Sequence, residues 1–116
     1  MLSFVQHLFS SHEQDESLKI EAASHVALSL RHGRVVTVFD RLSRAVTRNG
    51  RLIATFGSIH QVRVTQESAA DGPAAWSVSL QLSGSRVVPI GRCMDSTAAS
   101  VAAAHIATVT GARVLD

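Results

Sequence analysis

The stretch Arg34-Val35-Val36-Thr37-Val38-Phe39-Asp40-Arg41-Leu42-Ser43-Arg44-Ala45-Val46-Thr47-Arg48-Asn49-Gly50-Arg51-Leu52-Ile53-Ala54-Thr55-Phe56 decides how the rest of the chain reads. Asn49-Gly50 stands between two runs of apolar and β-branched residues, and both residues tolerate the positive φ that a type I′ turn requires. The spacing therefore predicts a hairpin with arms 45–48 and 51–56. Upstream, 34–39 is a β-branched run closed by a tight turn at Asp40-Arg41-Leu42-Ser43.

Working outward, 60–66 alternates as a strand does. A loop at 68–73, rich in Ala, Gly and Pro, then breaks the pattern. In the next run Trp76, Val78, Leu80 and Leu82 share one face and Ser77, Ser79 and Gln81 the other, so this strand has one wet side. Ser83-Gly84-Ser85 reads as a three-residue hairpin loop into 86–90, where Pro89 removes a ladder donor and marks an edge or a strand end.

Toward the C-terminus the period changes. Asp95 or Ser96 caps a helix over 95–110, with Ala98, Val101, Ala102, His105, Ile106 and Val109 at helical spacing and Gly111 just past its end. A final piece, 113–116, returns to the sheet. Toward the N-terminus, 16–31 fits two periods. Period 2 aligns Leu18, Ile20, Val26, Leu28 and Leu30, and period 3.6 aligns Leu18, Ala22, Val26 and Leu30. Propensity leans helical over 16–24 and alternation favours strand over 25–31; strand is the preferred reading of the whole.

Composition agrees with this outline. The chain has 116 residues, 46% of them apolar and 17% charged, which is a length for one domain spanning 1–116. Valine, isoleucine and threonine outnumber the five aromatics several-fold, and alanines crowd 98–107, so the expected class is α+β. A disordered tail, a collagen-like array and a disulfide-stapled miniprotein are excluded. Cys93 is the sole cysteine, so no intrachain disulfide forms and zinc patterns built on several cysteines are absent. The first ten residues carry no Lys or Arg and are broken by Ser, Gln and His, which makes a poor secretory signal. Residues 1–15 read as an extension in which Leu2, Val5, Leu8 and Phe9 share one face of a short helix. The longest uncharged run, 96–112, is too short and polar to cross a bilayer. A cytoplasmic protein is expected, with a peripheral place at a membrane as the variant.

The strand order, with Phe39-Asp40-Arg41-x-x-Arg44-x-Val46-x-Arg48-x-Gly50-Arg51 and Phe56-Gly57-Ser58-Ile59-x-x-Val62, resembles bacterial pleckstrin-homology-like domains over roughly 25–111. The resemblance implies a bent antiparallel sheet, barrel- or sandwich-like, with a C-terminal amphipathic helix plugging one end. It brings no catalytic motif. Relatives that bind phosphoinositides use basic residues of an early loop, for which Arg31, His32 and Arg34 are the nearest equivalents.

The formal net charge of +2 conceals a lopsided distribution. Six arginines (Arg31, Arg34, Arg41, Arg44, Arg48 and Arg51) against Asp40 give +5 across 31–51, and four acids against Lys19 give −3 across 13–21. Period 2 places Arg44 and Arg48 on one strand face, with Arg51 across the hairpin. Guanidinium groups so gathered hold phosphate bidentately, on a lipid headgroup or a nucleic acid; exposed arginines also simply keep a sheet from pairing edge to edge. No aromatic ladder accompanies them for base stacking, and the chain has no tyrosine.

Catalytic and metal chemistry find little footing. None of the six histidines (7, 12, 25, 32, 60, 105) has a partner at His-x-x-x-His spacing, and His105 reads as a partly buried, hydrogen-bonded helix residue. Cys93 precedes the helix, whose dipole lowers a nearby thiol pKa, but a core role fits its residue type better. Ser58 lacks the Gly-x-Ser-x-Gly elbow. The expected function is therefore a non-catalytic interaction module without cofactor or metal, whose partner is a protein or a second copy. Anionic phospholipid or other phosphate binding by the 31–51 surface is the first alternative, and nucleic-acid binding by the same surface the second.

Overall fold

In a computed structural model, residues 17–67 and 72–115 are described; the helix expected over the first ten residues and most of the 68–73 loop lie outside them. Five strands form an antiparallel meander: β1 (Lys19–Ala23), β2 (Ala27–His32), β3 (Val35–Asp40), β4 (Ala45–Arg48) and β5 (Arg51–Thr55). A 3-10 turn at Phe56–Ser58 redirects the chain into β6 (Ile59–Glu67), followed by β7 (Ala75–Leu82) and β8 (Val87–Cys93). Helix α1 (Ser96–Thr110) and β9 (Arg113–Leu115) complete the described chain. The second sheet runs β8-β7-β6-β9, and the sheets meet at a corner where Leu18 N–H donates to the Arg92 carbonyl at 2.8 Å. The class is α+β with a bent sheet.

Local chemistry accounts for the joints. Asn49 (φ 50°) and Gly50 (φ 83°) adopt the left-handed pair of a type I′ turn, and Arg48 opposes Arg51 across it. Asn49 also ties the turn to β3: its Oδ1 accepts from Val36 N–H and its own N–H donates to the Val36 carbonyl, both at 2.8 Å. In the β3–β4 turn Asp40 Oδ1 accepts from Leu42 N–H at 2.9 Å, an Asx turn. Ser58 spends its hydroxyl locally, donating to the Thr55 carbonyl at 2.7 Å.

The core lies between the two sheets and beneath α1. Leu28, Leu30, Phe39 and Val46 from the meander meet Val62, Val78 and Leu80 from the second sheet, and Ile106 closes the end under the helix. Each large side chain so enclosed contributes about 1.5–3 kcal/mol.

Where the two periods compete, the preferred strand reading holds: β1 is a strand over Lys19–Ala23, and Ser24 turns the chain by accepting from Val26 and Ala27 N–H, each at 3.2 Å. Pairing with β2 overrides helical propensity there. The strands are not all antiparallel, since β9 runs parallel to β6. The buried stripe of α1 is Ala99, Ala102, Ala103 and Ile106, leaving Ala98 and Val101 exposed. Helical spacing puts residues 99, 102, 103 and 106 on one side, and with that side against the sheets Val101 falls toward solvent. Asp95 is the cap, accepting from Thr97 N–H at 3.2 Å.

Candidate functional site

The meander fixes where each arginine goes. Its strands alternate direction, so the β2–β3 turn (33–34) and the β4–β5 turn (49–50) open at one end and the β3–β4 turn (41–44) at the other. Arg31, Arg34, Arg48 and Arg51 gather toward the first end; Arg41 and Arg44 belong to the second. Four residues of extended chain separate Arg44 from Arg48, about 13 Å. The six do not form one site.

Each is held differently. Arg31 pairs through Nε with Glu21 Oε2 on β1. Arg34 and Arg51 are exposed in their turns. Arg41 bridges outward, donating from Nη1 to the His25 carbonyl at 3.2 Å and from Nη2 to the Thr108 carbonyl at 3.0 Å. Arg44 does not share a strand face with Arg48. It precedes β4, sits at φ 55°, and places its guanidinium 5.8 Å from the centre of the Phe56 ring. That backbone region is uncommon for a side-chain-bearing residue, and strand periodicity carries no sign of it.

Arg48 points between the sheets. It opposes Thr37, which opposes the buried Leu30, so all three share the inner face. Nη2 donates to the Pro89 carbonyl on β8, and Nε is enclosed with no hydrogen-bond partner. Beside it a groove of about 470 Å³ runs along the β8 edge, between the outer face of the second sheet and the first end of the meander. Arg92 and Glu67 face this groove and pair at 3.4 Å. Sequence pattern had no means of finding it, because it forms between strands far apart in the chain.

The outer face of the meander is the other feature that sequence reading missed. Register places Ala22, Ser29, Val38, Thr47 and Leu52 in one row across all five strands. No member is charged, and Leu52 is 60% exposed. One flanking row holds Lys19, Arg31 and Val36; the other holds Ala27, Asp40, Ala45 and Thr55.

The remaining candidates are placed plainly. Cys93 is buried near the end of β8, and burial, assisted by the nearby Asp95 carboxylate, pushes its thiol above the ordinary range. A nucleophilic thiol needs the reverse shift. His105 is half-buried on α1, facing a cavity beside Ser24 and His25, and its ring makes no hydrogen bond among the described residues. No helix among the described residues is long and apolar enough to cross a membrane. No protein-family model matches the chain, and comparison with curated proteins and with solved structures finds no match.

Proposed function

We propose that the chain is a non-catalytic interaction module, of the pleckstrin-homology-like kind its motifs resemble, that pairs with a second copy through the outer face of the meander. The observation that carries this is the uncharged row Ala22–Ser29–Val38–Thr47–Leu52. A sheet face turned to water ordinarily alternates to polar and charged residues. Five strands at about 4.8 Å and five residues at about 3.4 Å give roughly 400 Å² per partner, the size of a weak, reversible interface. Sedimentation equilibrium over rising concentration should show a monomer–dimer exchange, and Leu52→Glu should abolish it. A mass that stays monomeric at millimolar concentration rejects the dimer.

Phosphate or headgroup binding is a second reading, favoured by the convergence of Arg34 and Arg51 in two turns at the same end of the sheet. Co-sedimentation with phosphatidylserine vesicles tests it: Arg34→Ala with Arg51→Ala should release the protein and Arg44→Ala should not.

A further inference from the structure

We infer that the groove along β8 is a binding site for a small organic monocarboxylate with an apolar body, held by Arg48. This does not depend on self-association, which uses the opposite side of the meander. Arg48 is half-buried, its Nε is enclosed without a partner, and its fixed hydrogen bond goes to a neutral carbonyl. Among the described residues no carboxylate pairs with it. A guanidinium taken partly out of water with no counter-charge is unfavourable, and an anion entering the groove would supply that charge.

The groove selects the kind of anion. Arg92 is already neutralised by Glu67 at 3.4 Å, so the charge left over is a single positive one. A monoanion matches it, whereas a phosphate dianion would exceed it and face the Glu67 carboxylate. Ser79, paired in register with the Pro89 that Arg48 contacts, offers a hydroxyl on the groove wall, and Val35, Val87 and Ile90 supply apolar wall. Val87 is 53% exposed on an edge strand, and a ligand's hydrocarbon would cover it. A volume of about 470 Å³ falls in the range of small-molecule sites.

The test is a titration of the full chain, followed by amide chemical shifts, with sodium octanoate as probe and octanol and inorganic phosphate as comparators. Saturable shifts at Val35, Val87 and Gly91 with octanoate alone are expected. Arg48→Gln should weaken binding ~10- to 100-fold, the range for losing a hydrogen bond to a charged group. Val87→Asp, at an exposed rim position, should weaken it comparably and decides the matter if Arg48→Gln fails to fold. Absence of saturation, equal shifts with octanol or phosphate, or binding indifferent to Val87→Asp would overturn the assignment. So would saturation by a peptide with a free C-terminus but not by octanoate.

Discussion

Arg41 and Thr108, 67 residues apart, are joined by a 3.0 Å hydrogen bond from Nη2 to the carbonyl oxygen. Thr108 lies in the last turn of α1, where carbonyls lack intrahelical donors and a cation complements the negative end of the helix. The same guanidinium holds the His25 carbonyl at 3.2 Å, so one side chain ties the β1–β2 turn, the β3–β4 turn and the helix end together.

Arg41→Ala should therefore cost about 1–2 kcal/mol, two hydrogen bonds and a helix-end charge interaction weighed against partial exposure. Arg41→Lys should recover less than half, because a lysine ammonium does not span both carbonyls as the guanidinium fork does. Urea denaturation measures both. If Arg41→Ala unfolds at the wild-type midpoint, the bridge is not stabilising.

Gly91 is fixed by close approach. A Cβ there would stand 2.8 Å from Leu18 Cδ1 and 3.0 Å from His32 Cγ, at the corner where β1 and β2 meet β8. Gly91→Ala should destabilise by about 1–3 kcal/mol, the range for overpacking. Leu18→Ala in the same chain should recover part of the loss, since the leucine methyl is the nearest obstacle. A double-mutant cycle without coupling between the two positions would show that the backbone adjusts instead.

Much of this architecture is legible in the residues, because local chemistry decides it. Asn49-Gly50 admits few backbones other than its turn, Asp95 and Gly111 bound the helix, and the Trp76–Leu82 alternation has one dry face. The arrangement of the arginines is not legible. Arg44 leaves the strand pattern by taking a left-handed backbone, and Arg48 meets β8 only once the sheets have folded together. The uncharged outer row likewise exists only in register: Ser29, Val38, Thr47 and Leu52 are unremarkable singly and lie on four different strands. Pairing chooses between two periods over 16–24.

Cys93 should be a slow nucleophile. Desolvation favours the neutral thiol, and the Asp95 carboxylate adds to the effect, so native protein should react with iodoacetamide far more slowly than urea-unfolded protein at the same pH. The sign for stability follows. The unfolded thiol ionises at its ordinary pKa and the folded one only above it, so the folded state binds more protons between the two values. Stability attributable to Cys93 is complete below the ordinary thiol pKa and is lost as pH rises through the raised one. Cys93→Ala should flatten that alkaline decline in a urea–pH series. An unchanged decline would assign it to other groups.

Arg44 sets two effects of similar size against each other. A non-glycine residue in the left-handed region costs about 1 kcal/mol, and a guanidinium over an aromatic ring at a wet site returns about 0.5–1 kcal/mol. Phe56, the ring beneath it, is 4% exposed and anchors the corner between the two sheets, so the contact is made to a fixed partner. Arg44→Gly removes the strain and the contact together and should leave stability within about 0.5 kcal/mol of wild type. Arg44→Ala keeps the left-handed backbone and loses only the contact, so it should be the less stable of the two by about 1 kcal/mol. Thermal unfolding of the pair measures this difference directly. Equal stabilities would mean that the turn relaxes to a right-handed backbone once the guanidinium is gone, and that the contact with Phe56 is what holds Arg44 at φ 55°.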